Sequence, residues 1–394
     1  MKIDFNQIIN RKNTNSLKYD FTAKRGKAAD ILPLWVADMD FPTAPAITEA
    51  LKKACEHGIF GYSDTTEEYF YAVRDWFSSH YNWEIERKWL VKTPGVVFAV
   101  CMAIRAFTEK GDAVLIQRPV YYPFSESVIV NERRLINNPL VNQNGRYVID
   151  FTDFERKIVD NNVKLFLLCN PHNPVGRVFT KEELEKLGDL CMKYNVLVVS
   201  DEIHADFIYP GYRHIPFASL KPEYLSQSIT CTAPSKTFNL AGLQISNIII
   251  QNPRIKAAFK AEVYKTGYCE LNTMGIIAGQ TAYRYGEEWL TDLKKYLLGN
   301  LDYLRSFLQK ELPQLKLIEP EGTYLVWIDC RALRLSDREL DNLVSQKAKL
   351  WLDEGPMFGP EGSGYQRINI ACPRKILIKA LNQLKNSLED IPAL

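Results

Sequence analysis

From residue 96 onward the chain alternates long and short apolar runs. The run VVFAVCMAIRAFTE over 96–109 has the length of a helix, and Gly111 stands just beyond it as a stop signal. Short runs follow: AVLIQ at 113–117, VKLFLLCN at 163–170, VLVVSDE at 196–202, SITCTA at 228–233 and ISNIII at 245–250. They are β-branched and apolar at consecutive positions, the mark of strands covered on both faces. Between two of them, Thr180 and Glu183 form a T-x-x-E capping box. It opens a helix whose Leu184, Leu187, Leu190 and Cys191 share one face. Strand–helix–strand units of about 30 residues predict right-handed crossovers. The expected fold is α/β, a mostly parallel sheet flanked by helices.

Beyond about residue 285 the pattern changes. WLTDLKKYLLGNLDYLRSFLQKEL (289–312) reads as one amphipathic helix, and KLIEP with EGTYLVWIDC (316–330) as two strands across a turn. Two further helical patterns follow at about 336–354 and 374–389. This is an α+β texture. The expected organisation is an N-terminal arm over 1–45, a large domain over 46–285 and a smaller C-terminal domain over 286–394, with the arm on or near the small domain.

Composition narrows the function. The 394 residues are 46% hydrophobic and 24% charged, ordinary for a globular protein. Forty-nine Lys and Arg face 47 Asp and Glu, a net charge of +2. No basic excess is there to neutralise phosphates, so a nucleic-acid partner is not expected. With only about 45 residues ahead of the large domain, an appended DNA-binding domain is not expected either. No run approaches the roughly 18 apolar residues of a membrane span. The start, MKIDFNQIIN, has no apolar core of a secretory signal. Eight cysteines without a C-x-x-C pair and five histidines without ligand spacing predict no metal site. Reduced core cysteines in a cytoplasmic protein are expected.

Polar residues cluster at the C-terminal ends of the predicted strands, where open parallel sheets bind ligands. Four places stand out: Pro119–Tyr122, Asn170–Gly176 (NPHNPVG), Asp201–His204 and Pro234–Asn239 (PSKTFN). With the R-x-N of Arg367 and Asn369, their order and spacing resemble the fold-type I enzymes that depend on pyridoxal 5′-phosphate (PLP), the class I and II aminotransferase superfamily. The likeness runs from LPLWVADMDFPTAP (32–45) to QRINIACPR (366–374). It implies a large domain with a mostly parallel sheet and a smaller α+β domain.

The resemblance also assigns roles. Lys236 would form the Schiff base and move the Cα proton, since an amine must be uncharged to attack a carbonyl. Asp201 would sit beneath the pyridine nitrogen and keep it protonated. Asn173 would bind the phenolic O3′, and Tyr121 would stack on the ring. Gly95, Val96 and Val97 begin a helix whose N-terminus would seat the phosphate. Ser235 and Thr232 would add hydroxyl contacts. Tyr62, in GIFGYS, would reach the phosphate of a neighbouring subunit, making the enzyme a homodimer with a shared site. Arg367 would take the substrate α-carboxylate as a bidentate fork; Tyr121 and Asn173 would border the substrate too. The Gly- and Pro-rich run 355–364 would be a mobile flap.

Two positions depart from the commonest aminotransferase pattern. Gln244 replaces an arginine that pairs with the phosphate, and His204 replaces a tyrosine bonded to O3′. With WVADMDF (35–41) and INIACPR (368–374) they resemble one branch, the MalY/PatB-type cystathionine β-lyases. That implies carbon–sulfur lyase activity on L-cystathionine or cysteine S-conjugates, giving thiol, pyruvate and ammonia. An aminotransferase on the same scaffold is the alternative. A regulatory protein that merely retains PLP is a third reading, opposed by the intact lysine, aspartate and arginine.

Overall fold

The structure, a computed structural model, describes residues 3–389. The first two residues of the expected arm and the last five of the expected small domain lie outside them. The main sheet has seven strands: β1 (Leu90–Thr93), β2 (Ala113–Ile116), β3 (Arg134–Asn137), β4 (Leu165–Cys169), β5 (Leu197–Asp201), β6 (Ser228–Thr232) and β7 (Ser246–Ile249). Their order is β1-β7-β6-β5-β4-β2-β3, and β7 alone runs against the rest. The five predicted strands are all present, each within two residues of its expected ends.

Strand β4 shows why these runs are apolar throughout. Successive side chains point to opposite faces. Phe166 and Leu168 pack with Phe154 and Leu184 on one side; Leu165, Leu167 and Cys169 pack with Ala103 and Phe124 on the other. Neither face meets water, so neither tolerates polar residues. The helices that cover the sheet include α1 (Val96–Phe107) and α2 (Lys181–Lys193). Helix α1 ends at Thr108, in extended conformation, ahead of Gly111, which turns the chain into β2. The capping box at α2 is complete: Glu183 N–H donates to Thr180 Oγ1 at 3.2 Å and Thr180 N–H to Glu183 Oε2 at 2.8 Å.

A second, antiparallel sheet holds β8 (Lys316–Leu317), β9 (Leu325–Asp329), β10 (Asp353–Glu354) and β11 (Tyr365–Asn369), in the order β8-β9-β11-β10. The predicted long helix is α3 (Glu287–Glu311), whose Leu293, Leu297, Leu301, Leu304 and Leu308 are buried against this sheet and α4 (Arg374–Leu388).

The helix expected over 336–354 breaks. Asp337–Asp341 is helical and Asn342–Lys347 is a π-turn, but Lys349 takes φ +55° and the chain then extends. Leu350, Trp351 and Leu352 are buried in succession, which one helix face cannot achieve. Leu350–Trp351 instead pairs in parallel with Leu32–Pro33 of the arm. The run 355–364 is likewise no flap. Gly355 and Gly362 cross in backbone contact, leaving no room for a Cβ on either, and buried Phe358 accepts Val120 N–H at 3.0 Å.

The two sheets are joined at one edge by a buried lock. Gly176, at φ +72°, lets Pro320 approach so closely that a Cβ would lie 2.8 Å from the proline ring. Beside it, Arg177 pairs with Glu321 at 2.8 Å and Glu183 at 2.7 Å, and Glu321 also accepts Val178 N–H at 2.8 Å.

Candidate active site

At the C-terminal ends of β4, β5 and β6 lies a cavity of about 200 Å³. Its wall includes Tyr121, Asn173, Asp201, His204, Ser235 and Lys236. Strand geometry delivers them: Asp201 is the last residue of β5, Asn173 lies four residues past β4, and Lys236 sits in the short helix Pro234–Thr237 just past β6. Gly95 to Phe98, the start of α1, close another side. No side chain caps this helix. Ala99 N–H, bonded to Gly95 O at 3.1 Å, is the first to find a helical partner. The earlier N–H groups therefore face the cavity as an anion seat, strengthened by the helix dipole.

The charges inside are tuned by burial. Lys236 Nζ donates to the carbonyl of Ala37 at 2.7 Å. Burial lowers its pKa, Asp38 opposes, Arg367 lowers it further and Asp201 raises it; it settles at about 8. Asp201 is pushed up to about 7 by burial, against the pull of Ile203 N–H, which reaches its Oδ1 at 3.1 Å, and of Lys236. No cation touches this carboxylate among the described residues. Burial, with Lys236 and Arg367 adding, drives His204 down to about 3, so its ring is neutral. Its Nδ1 is buried without a partner among the described residues.

Arg367 lies on β11, outside the cavity wall but bonded to Asn173 within it, and directly opposite Asp353 of β10. The two side chains form an ion pair, each about 3% exposed. Nη1 also donates to Asn173 Oδ1 at 3.0 Å and Nη2 to Trp35 O at 2.7 Å, while Nε–H has no partner among the described residues. The guanidinium lies 4.9 Å from the centre of the Phe358 ring. Since Asn173 accepts through its oxygen, its amide NH2 is left to donate into the cavity.

Thr232 does not join this group. Its Oγ1 donates to Asn247 O on β7 at 2.9 Å, which ties it into the sheet. Tyr62 is 94% exposed and stands apart, in a shallow groove shared with Asp64, Lys92, Tyr264, Tyr268 and Glu270. That groove approaches the cavity through Tyr268, whose ring is 5.7 Å from that of Phe98. Gln244 lies in the cavity wall at φ +52°. Sequence reasoning missed Ala37, Cys169, Asp353, Asp38 and Tyr324. Ala37 and Asp353 act through a backbone carbonyl and a cross-strand pair, which leave no local motif.

Comparison with known proteins gives the family. The family model for aminotransferase class I and II matches residues 29–384. Cystathionine beta-lyase PatB of Bacillus subtilis is 44% identical over 386 residues, 98% of this chain and 100% of PatB. A PLP-bound protein of Clostridium difficile 630, assigned provisionally as an aminotransferase, superposes with a TM-score of 0.96 at 44% identity, over 98% of this chain and 100% of that one. Cystalysin from Treponema denticola, which contains a PLP cofactor, gives 0.96 at 40% identity over 100% of both. The chain therefore has the fold-type I, aminotransferase-like fold and belongs to the aminotransferase class I and II family.

Proposed function

We infer that the protein is a PLP-dependent carbon–sulfur β-lyase that cleaves L-cystathionine or a related cysteine S-conjugate to a thiol, pyruvate and ammonia. The full-length likeness to PatB and cystalysin supports the reaction class. The observation that carries the chemistry is one cavity in which a lysine poised near pH 8, a carboxylate without a cation and an uncapped helix start meet.

These groups fit PLP. The free N–H groups of Gly95, Val96 and Val97 and the Ser235 hydroxyl suit its phosphate. Asp201 suits the ring nitrogen, because a cation there relieves a buried, unpaired carboxylate. The Asn173 NH2 suits the phenolic oxygen, and the Tyr121 ring a face of the pyridine. Bound there, PLP supplies an aldehyde for the substrate's amino group and a ring that accepts the electron pair left at Cα.

The protein's own residues do the rest. Arg367 orients the substrate carboxylate. Lys236 takes the Cα proton, and Asp201 and Asp38 stabilise the ammonium that results. His204, being neutral, adds no competing cation. Elimination requires the Cβ–S bond to be held in line with the ring's electrons, and Lys236 to withhold its proton from the cofactor. The active unit is a homodimer in which Tyr62 completes the partner's phosphate site. Exposed Ile59, Phe60 and Tyr62 on one short segment support that assembly. Eight free cysteines support a reducing, cytoplasmic setting.

The provisional assignment of the Clostridium difficile relative keeps amino transfer as the second reading. The test is purified protein with L-cystathionine and no keto acid. Many turnovers to homocysteine, pyruvate and ammonia are expected. Product formed only in proportion to added keto acid would establish the aminotransferase.

A further inference from the structure

The segment Trp35–Phe41 contains no helix or strand, yet donors from five directions converge on it. Arg367 reaches Trp35 O. Asn369 Nδ2 holds Val36 O and Asp38 O, both at 2.6 Å. Lys236 Nζ and Tyr324 Oη share Ala37 O, at 2.7 and 3.1 Å. Asn239, three residues past Lys236, grips Met39 through both N–H and carbonyl and also holds Phe41 O.

The fifth direction is the beginning of the N-terminal arm, residues 11–19. Arg11 meets Asp38 as a fork, at 2.6 and 3.1 Å, and reaches Asp40 at 2.7 Å. Lys18, wholly buried, lies 2.9 Å from Asp40 and 3.5 Å from Asp38. Tyr19 adds a bond to Asp40 at 3.1 Å. Asp38 is thus fixed one residue from the carbonyl that receives Lys236. Its backbone is held by Asn369, so it stays in place without the arm.

The charged and titratable groups around Lys236 are Asp38, Asp201, His204, Arg367, Tyr121, Tyr324 and Cys169. Burial favours the uncharged amine. Of the two carboxylates that oppose it, Asp38 acts more strongly than Asp201. A base that must take up a proton and release it again works best near the operating pH.

We propose that Asp38 is the fixed counter-charge that keeps Lys236 able to take up a proton, and that Arg11 of the N-terminal arm trims that charge. The proposal rests on Lys236 being the reactive amine. Its readout is the proton affinity of one side chain, so it stands or falls separately from the lyase assignment.

The experiment uses the full-length chain stripped of cofactor. Labelling of Lys236 by an amine-reactive anhydride is followed against pH by peptide mass spectrometry, with thermal unfolding as the fold control. Asp38→Asn is expected to lower the labelling midpoint by about one pH unit, the scale of one nearby charge. Asp40→Asn cuts the same arm contacts and is expected to leave the midpoint in place. Asp38→Glu is expected to restore it. An unchanged midpoint in folded Asp38→Asn, or an equal shift in Asp40→Asn, overturns the proposal. Should Asp38→Asn not fold, Arg11→Met decides: loss of the competing cation is expected to raise the midpoint, and an unchanged or lowered one overturns the proposal.

Discussion

Two buried carboxylates, one in the cavity wall and one paired with Arg367, differ in what they touch. Asp353 forms an ion pair with Arg367 across adjacent strands. Asp201 is also buried and has only a backbone N–H and a more distant lysine to favour its charge. Burial raises both; Arg367 pulls Asp353 back, whereas Asp201 rises to about 7. A fold can retain an ionisable group without a partner when a ligand supplies one. Asp353 finds its partner within the fold, whereas the Asp201 carboxylate suits a cationic ligand, as in the function proposed above.

The sharpest way to break this contrast is Asp201→Asn. With PLP loaded, kcat is expected to fall roughly a hundredfold or more, the scale of a lost proton-handling group. Without PLP the same change is expected to stabilise the chain. Asp201 rises from 3.8 to about 7 on folding. The folded state therefore binds the proton more tightly, and that stability, whole below about pH 4, is lost as pH climbs to 7. The loss is on the order of 4 kcal/mol as an upper bound. Unfolding curves of the two cofactor-free proteins should coincide near pH 4 and diverge by pH 8, with the Asp201→Asn variant the more stable.

Arg367→Ala comes next. The expected loss in kcat/KM is about 2–4 kcal/mol, the scale of a lost buried charge-assisted contact, with PLP still bound. Steady-state kinetics with absorbance of the bound cofactor checks both halves. Asp353→Asn should do less, because Arg367 keeps Asn173 and Trp35 as partners. About a tenfold rise in KM with kcat nearly kept is expected; a loss in kcat alone would place Asp353 nearer the chemistry. Tyr62→Phe should be mildest, weakening PLP retention about fivefold, one hydrogen bond's worth, when measured by cofactor release during dialysis.

The same contrast explains what was legible in the sequence. Asp201, Asn173 and Lys236 each close a short apolar run, so strand pattern and motif coincide. Asp353 does not: it lies in a two-residue strand inside a stretch with helical periodicity, and its partner is 14 residues away. Helical spacing up to Lys347 is real, but burial of three successive residues after it overrides the pattern. The glycines of 355–364 signal close backbone crossing here rather than motion, and composition alone does not separate the two. Thr232 illustrates a further limit. A hydroxyl at a strand end has two possible customers, ligand or neighbouring strand, and in β6 the neighbouring strand has it.

The Arg177–Glu321 lock bears on how substrate gets in. Parting the sheets at that edge would strand a guanidinium 2% exposed and a carboxylate 3% exposed, and would also break the Glu321 and Gly322 N–H bonds to Gly176 O at 2.8 and 3.0 Å. That edge is a closed door at thermal energies.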